Sequence, residues 1–165
     1  GSATGHTMNE SVRLATPNDL ETLTEFADSA VTEQRENRGG YVWSVRETRN
    51  QPYLASFESA LHDPDQAVWI GMIDDTPVGY AASKVELLRS GETLGRISDI
   101  WVDPEARSVG VGESLIAAVV SWCTERNCIG IDSMALPGNR ATKNFFETFG
   151  FKARLLTVHK PLHES

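Results

Sequence analysis

Residues 12–16 alternate apolar with polar or small side chains, the period-two pattern of a strand, and Thr16-Pro17-Asn18-Asp19 then supplies cap and first-turn residues for a helix. Leu20, Leu23, Phe26, Ala27 and Ala30 recur at helical spacing, and Gly39-Gly40 breaks the pattern. A second helical stretch is predicted within residues 46–62. Two β-branched and apolar runs, 67–73 and 77–87, are divided by Asp74-Asp75-Thr76 and read as a hairpin. The turn Ser90-Gly91 leads into a third strand at 93–102. From 110 to 127, Leu115, Ile116, Val119, Val120 and Cys123 share one helical face and Glu113, Ser121, Thr124 and Glu125 lie opposite, which makes an amphipathic helix. A strand at 129–136, a short helix at 139–148 and a last strand at 151–159 complete the pattern.

The order is strand, helix, further helix, three strands, then helix, strand, helix, strand. It predicts an α/β fold with a mostly antiparallel sheet and one strand–helix–strand crossover in the second half. The chain's 165 residues suit one domain, with no linker, repeat or low-complexity tract. Residues 1–7 lack hydrophobic periodicity and read as an expression scar or a disordered tail, which leaves 8–165 as the single domain.

The strand at 93–102 runs into Asp103-Pro104-Glu105-Ala106-Arg107-Ser108-Val109-Gly110-Val111-Gly112, and the amphipathic helix follows at once. A glycine turn opening a helix directs free backbone N–H groups and the positive end of the helix dipole at one spot, where a pyrophosphate can bind without a cationic side chain. Alone, Arg-x-x-Gly-x-Gly is equally an ordinary tight turn. A second motif follows one strand later: Asn139 precedes a helix that contains Phe145 and ends at Gly150-Phe151. Together these two motifs resemble those of the GCN5-related N-acetyltransferase (GNAT) superfamily.

The resemblance implies the GNAT acyltransferase fold, a splayed mixed sheet flanked by helices, with acetyl-CoA as co-substrate between the fourth and fifth strands. It implies that Ile100, Trp101 and Val102 pair with the pantetheine, and that N–H groups at Trp101 and Val102 polarise the thioester carbonyl. Arg107, Ser108, Val109, Gly110, Val111 and Gly112, with Glu113 and Ser114, correspond to the pyrophosphate cradle. Asn139 corresponds to an asparagine that bonds the pantetheine arm, and Asn144, Phe145 and Phe146 to residues along the acetyl end. Arg140 or Lys143 would meet the 3′-phosphate. The segment between the first two helices borders the acceptor in similar proteins, which makes Glu33, Tyr41 and Trp43 substrate-binding candidates.

The expected activity is transfer of acetyl to a primary amine, on a small molecule or a polypeptide, by direct attack in a ternary complex. An alkyl ammonium must first lose a proton. Asp99 is the candidate catalytic group, taking that proton directly, relaying it through water or only attracting the ammonium. Where many family members carry a tyrosine general acid this chain has Phe146. Either another group such as Tyr41, Tyr53 or Tyr80 protonates the leaving thiolate, or none is needed, because a thiol with a pKa near ~8.5 leaves readily. The missing tyrosine also motivates an alternative, a catalytically weak acyl-CoA-binding regulatory or sensor module.

Fifteen Lys and Arg against 23 Asp and Glu give a net charge of −8, which opposes attraction to nucleic acid or an anionic membrane surface. The longest apolar run, 115–120, falls far short of the ~20 residues of a membrane span, and the expected location is cytoplasmic. His6, His62, His159 and His163 have no metal-ligand spacing, and Cys123 and Cys128 suit neither a redox pair nor zinc, so no metal is expected. Similar proteins are commonly homodimers, although no apolar stripe here specifies an interface.

Overall fold

The computed structural model describes residues 9–163, so the tail assigned to 1–7 lies outside the described residues. Five strands, β1 (Glu10–Leu14), β2 (Gln66–Ile73), β3 (Thr76–Leu87), β4 (Thr93–Val102) and β5 (Cys128–Asp132), form one sheet in the order β1-β2-β3-β4-β5. Neighbours are antiparallel except β4 and β5, which run parallel across a helical crossover. The expected splayed α/β architecture is present.

Five α-helices cover the sheet: α1 (Leu20–Gln34), α2 (Gly40–Arg46), α3 (Tyr53–His62), α4 (Val111–Glu125) and α5 (Arg140–Thr148). α4 packs on one face through Leu115, Ile116, Val119 and Cys123, all at most 2% exposed, against Trp69, Ala81 and Ile97. Burying each large aliphatic side chain contributes about 1.5–3 kcal/mol. On the other face Leu23 and Ala27 of α1 and Phe57 of α3 pack against Val68, Ile70, Tyr80 and Trp101. β2 alternates strictly between these layers, as a half-and-half buried sheet requires, and β3 does so from Tyr80 to Ala82, with a bulge at Val78 before it.

β4 does not. Its register with β3 shifts between Ala82↔Asp99 and Ser83↔Ile97, so Ser98 is an extra residue in a β-bulge. Ile97 and Ile100 consequently share the α4 face although three apart, while Trp101 packs with α1 and α3. Asp99 is thereby delivered to the same side as Trp101.

Three expectations need correction. Gly39-Gly40 is not only a stop: Gly40 opens α2, an additional helix that ends at Arg46, while the helix expected within 46–62 is α3, which starts after Pro52. β5 ends at Asp132, four residues earlier than expected. The last strand, expected at 151–159, is absent, and Leu155, Leu156 and Val158 are exposed. Its adjacent leucines spoil the alternation, so no single register turns all its apolar side chains to one face.

Candidate active site

β4 and β5 pair only from Thr93↔Cys128 to Arg96↔Asp132. Beyond that point residues 97–102 keep β3 on one side, but among the described residues no strand accompanies them on the other. The widening gap opens into a cavity of about 330 Å³. Residues 97–102 form one flank and 133–136 the opposite flank; α1, α2, α3 and α5 close the rest.

One end of the cavity is set by the turn into α4. Gly110 holds φ +87°, a left-handed conformation that side chains resist, and lets the chain turn sharply from Pro104–Val109 into the helix. The first N–H groups of α4 have no intrahelical acceptor, so they and the helix dipole suit a pyrophosphate. The space fits one as well: the nearest atom to a Cβ built on Gly110 is Glu10 Oε1, 3.9 Å away. Glu10 is solvent-exposed, which screens its charge, and it accepts a 2.5 Å hydrogen bond from the Ser114 hydroxyl. At Gly112 a Cβ would come within 3.1 Å of the Phe145 ring, so that ring lies directly on the glycine.

Of the residues expected to hold the acetyl donor, Ile100, Trp101, Val102, Arg107, Gly112, Asn139, Phe145 and Phe146 line the cavity. Ser108, Val109, Gly110, Val111, Glu113, Ser114 and Asn144 do not. Several side chains have prior engagements. Arg107 donates from Nε to the Val102 carbonyl at 2.8 Å and pairs through Nη2 with Glu33, also at 2.8 Å. Asn139 caps α5 by accepting from the Thr142 N–H, and its amide donates to Gln34. Phe146 is 6% exposed, packed against Phe145 and Phe151.

The opposite end is a buried polar cluster. Asp99 receives Nε and Nη2 of Arg49 at 3.2 and 2.9 Å, and the Tyr80 hydroxyl at 2.8 Å. The Arg49 and Asp99 side chains are only 7% and 9% exposed. Arg49 is further fixed by Nη1 donating to Ser56 and by lying 4.1 Å over the Phe57 ring. Burial, reinforced by the Asp99 charge, holds the Tyr80 phenol well above the usual tyrosine range. Tyr80 is therefore a protonated donor to Asp99 and no tyrosinate.

Sequence reasoning missed Arg49, and considered Tyr80 only as a proton donor to the leaving thiolate, not as a partner of Asp99. Tyr80 sits among the alternating residues of β3 and looks like core packing, while Arg49 stands fifty residues from Asp99 in a stretch read simply as helical. Among the substrate candidates, Glu33 and Trp43 line the cavity, and the Trp101 indole N–H donates to Glu33 at 2.9 Å. Tyr41 is 69% exposed on α2 and does not. Cys123 is buried beneath Gly95, and desolvation pushes its thiol up to about 11, which makes it unfit as a nucleophile at neutral pH. Among the described residues no group of three or more His, Cys, Asp or Glu is placed to hold a metal, and no helix is long and apolar enough to cross a membrane.

The chain is 28% identical over 104 residues to aminoglycoside N(6′)-acetyltransferase type 1 of Salmonella typhimurium, a stretch covering 61% of this chain and 72% of that one. It is 30% identical over 78 residues to glucosamine 6-phosphate N-acetyltransferase of Trypanosoma brucei brucei, covering 46% and 51% of the two. In fold it superposes on a tetramutant of a Bacillus halodurans protein with a TM-score of 0.77 at 20% identity, over 92% of this chain and 99% of the other. It also superposes on aminoglycoside N-acetyltransferase AAC(6′)-Iy in complex with CoA, with a TM-score of 0.72 at 21% identity, over 96% and 99%. The family model described as acetyltransferase (GNAT) family matches residues 25–151. A match of that extent makes the chain a member of the acetyltransferase (GNAT) family and an N-acetyltransferase.

Proposed function

We propose that the protein transfers an acetyl group from acetyl-CoA to a primary amine by direct attack within a ternary complex. The observation that carries this reading is the parting of β4 from β5 beyond Arg96↔Asp132, which leaves one edge of residues 97–102 facing a cavity with an anion-suited helix start at one end and Asp99 at the other. Acetyl-CoA would lie along that edge, with its pyrophosphate at Gly110 and the first turn of α4. It supplies the activated carbonyl. Of the two expected donors the Trp101 N–H turns toward Tyr80 of β3, so the Val102 N–H, on the free edge and already fixed by the strand, would stabilise the charge that develops on the carbonyl oxygen.

Asn139 would exchange its present partners, or share them, as the donor enters, while Arg107, still paired with Glu33, would meet the donor with its remaining N–H groups. Asp99 meets the incoming ammonium at the other end and takes its proton, directly or through water, so that the neutral amine forms the new C–N bond as the thioester C–S bond breaks. Arg49 and Tyr80 take three acceptor positions on its carboxylate, two on Oδ2 and one on Oδ1, and a free lone pair remains on Oδ1. The thiolate leaves without an acid at Phe146, whose ring carries no proton to give. Holding both reactants in one cavity supplies much of the remaining acceleration. Cys123 takes no part, because an acyl-cysteine route needs an accessible thiolate.

Calorimetric titration with acetyl-CoA, against adenosine diphosphate as control, tests the shared premise. Saturable binding well above the control is the expected result, and no binding would end the reading. Thiol release across an amine panel then separates an enzyme from the second reading, a sensor module. That second reading is favoured by Phe146 and by the heavy engagement of Asp99; binding without release would select it.

A further inference from the structure

The acceptor's chemical class is written in how the cavity balances its charges. Four charged side chains line it: Glu33, Arg49, Asp99 and Arg107. Each acid is already paired with a base, Glu33 with Arg107 at 2.8 Å and Asp99 with Arg49 at 2.9 Å. No lining carboxylate is left over to hold a second or third ammonium group. Carrying such groups from water into this site without counter-ions would cost free energy that nothing here returns.

The wall beside Asp99 is apolar. Ala27, Ala30 and Val31 present one stripe of α1 to the cavity, Trp43 of α2 and Tyr53 of α3 adjoin it, and the two alanines leave room that larger residues would fill. Tyr53 is 8% exposed, and its hydroxyl makes no hydrogen bond among the described residues. Among the described residues no buried side-chain polar atom lacks a partner, so that hydroxyl is accessible, and Tyr53 lines the cavity. At about 330 Å³, shared with the acetyl end of the donor, the space is at the small end of the ~300–1,000 Å³ typical of small-molecule sites.

We infer that the acceptor is a small monoamine with an apolar body: its single ammonium meets the free lone pair of Asp99, its body rests against the α1 stripe and Trp43, and the Tyr53 hydroxyl orients it. This rests on the acetyl-transfer reading above. It sets the chain apart from its aminoglycoside-acetylating relative, whose named substrate class is polycationic.

The test compares kcat/KM by thiol release for 2-phenylethylamine, spermidine, kanamycin and a lysine-containing peptide, with acetyl-CoA as donor. The monoamine is expected to lead each of the others by at least ~10-fold, a gap of about 1.4 kcal/mol. Tyr53→Phe should raise its KM several-fold with kcat little changed. Ala30→Leu, at a half-buried position, should lower its kcat/KM about tenfold and leave acetyl-CoA affinity by calorimetry as it was. A preference for spermidine, kanamycin or the peptide overturns the monoamine assignment. So does failure of 2-phenylethylamine to bind in the presence of CoA. Because acetyl-CoA binding is measured separately, loss of the acceptor assignment is distinguishable from loss of the acetyl-transfer reading.

Discussion

The two ends of the cavity are made of different material. The donor end is backbone: an unpaired strand edge, a left-handed glycine and the first turn of a helix, all within residues 97–114. The acceptor end is side chain: Glu33, Trp43, Arg49, Tyr53, Tyr80 and Asp99 come from five helices and strands and the loop before α3, and meet only in the folded chain. A backbone site tolerates substitution wherever the main-chain path survives. A site of buried, mutually paired side chains does not, because removing one partner strands the other.

Arg49→Leu should therefore be the most damaging single change. It leaves the Asp99 carboxylate buried without its counter-ion, a loss of about 3–5 kcal/mol, measurable by urea unfolding. A variant as stable as the parent would show that the acceptor end is more solvated than its side-chain burial indicates. Asp99→Asn keeps the volume and removes the charge; turnover at neutral pH should fall about 10²-fold while acetyl-CoA affinity stays level. Unchanged turnover would take Asp99 out of the chemistry and reduce the acceptor end to a structural ion pair.

Gly112→Val probes the donor end alone. Its added carbons meet the Phe145 ring, so acetyl-CoA affinity should drop about tenfold with stability falling by only ~1–3 kcal/mol. Equal damage to acceptor KM would mean that the two ends are mechanically joined. The mildest effect belongs to the frame that carries both ends. Asp19, at the start of α1, accepts two hydrogen bonds from Arg13 and one from the Thr16 N–H, and these interactions, the Arg13 bond foremost, hold its carboxyl below the usual range. A depressed native value means that this stabilisation is present above the unfolded value of ~3.9 and disappears as pH falls through the native one. Replacing Asp19 with Asn should cost ~1–2 kcal/mol at pH 7 and progressively less in acid; a constant difference down to pH 2 would contradict the assignment.

The same contrast explains what could be read from the chain beforehand. The donor end is contiguous, and glycines at a strand–helix junction form a local motif, so the resemblance that motif carries singles out residues 100–102 and 107–112 as donor-site candidates. The role of Arg49 depends on a partner fifty positions away, and nothing in its own neighbourhood announces it. The hairpin β2–β3 and helix α4 were legible because their periodicities are strong and their faces are actually buried. The segment after Phe151 has enough β-branched and aliphatic character to suggest a strand, yet Arg154 is tied to Asp132 at the end of β5 and the chain beyond lies exposed. A strand is a property of pairing, and pairing is not encoded in one segment.

The extra residue at Ser98 has a consequence for how such a protein can change over generations. Point substitutions on β4 exchange one side chain for another and leave the rest facing as before. Loss of one codon at the bulge would restore simple alternation and turn either Ile97 or the Asp99–Trp101 pair over to the opposite layer, emptying the acceptor end or burying a carboxylate beneath α4. The chemistry of this strand is inherited as a spacing before it is inherited as a set of residues.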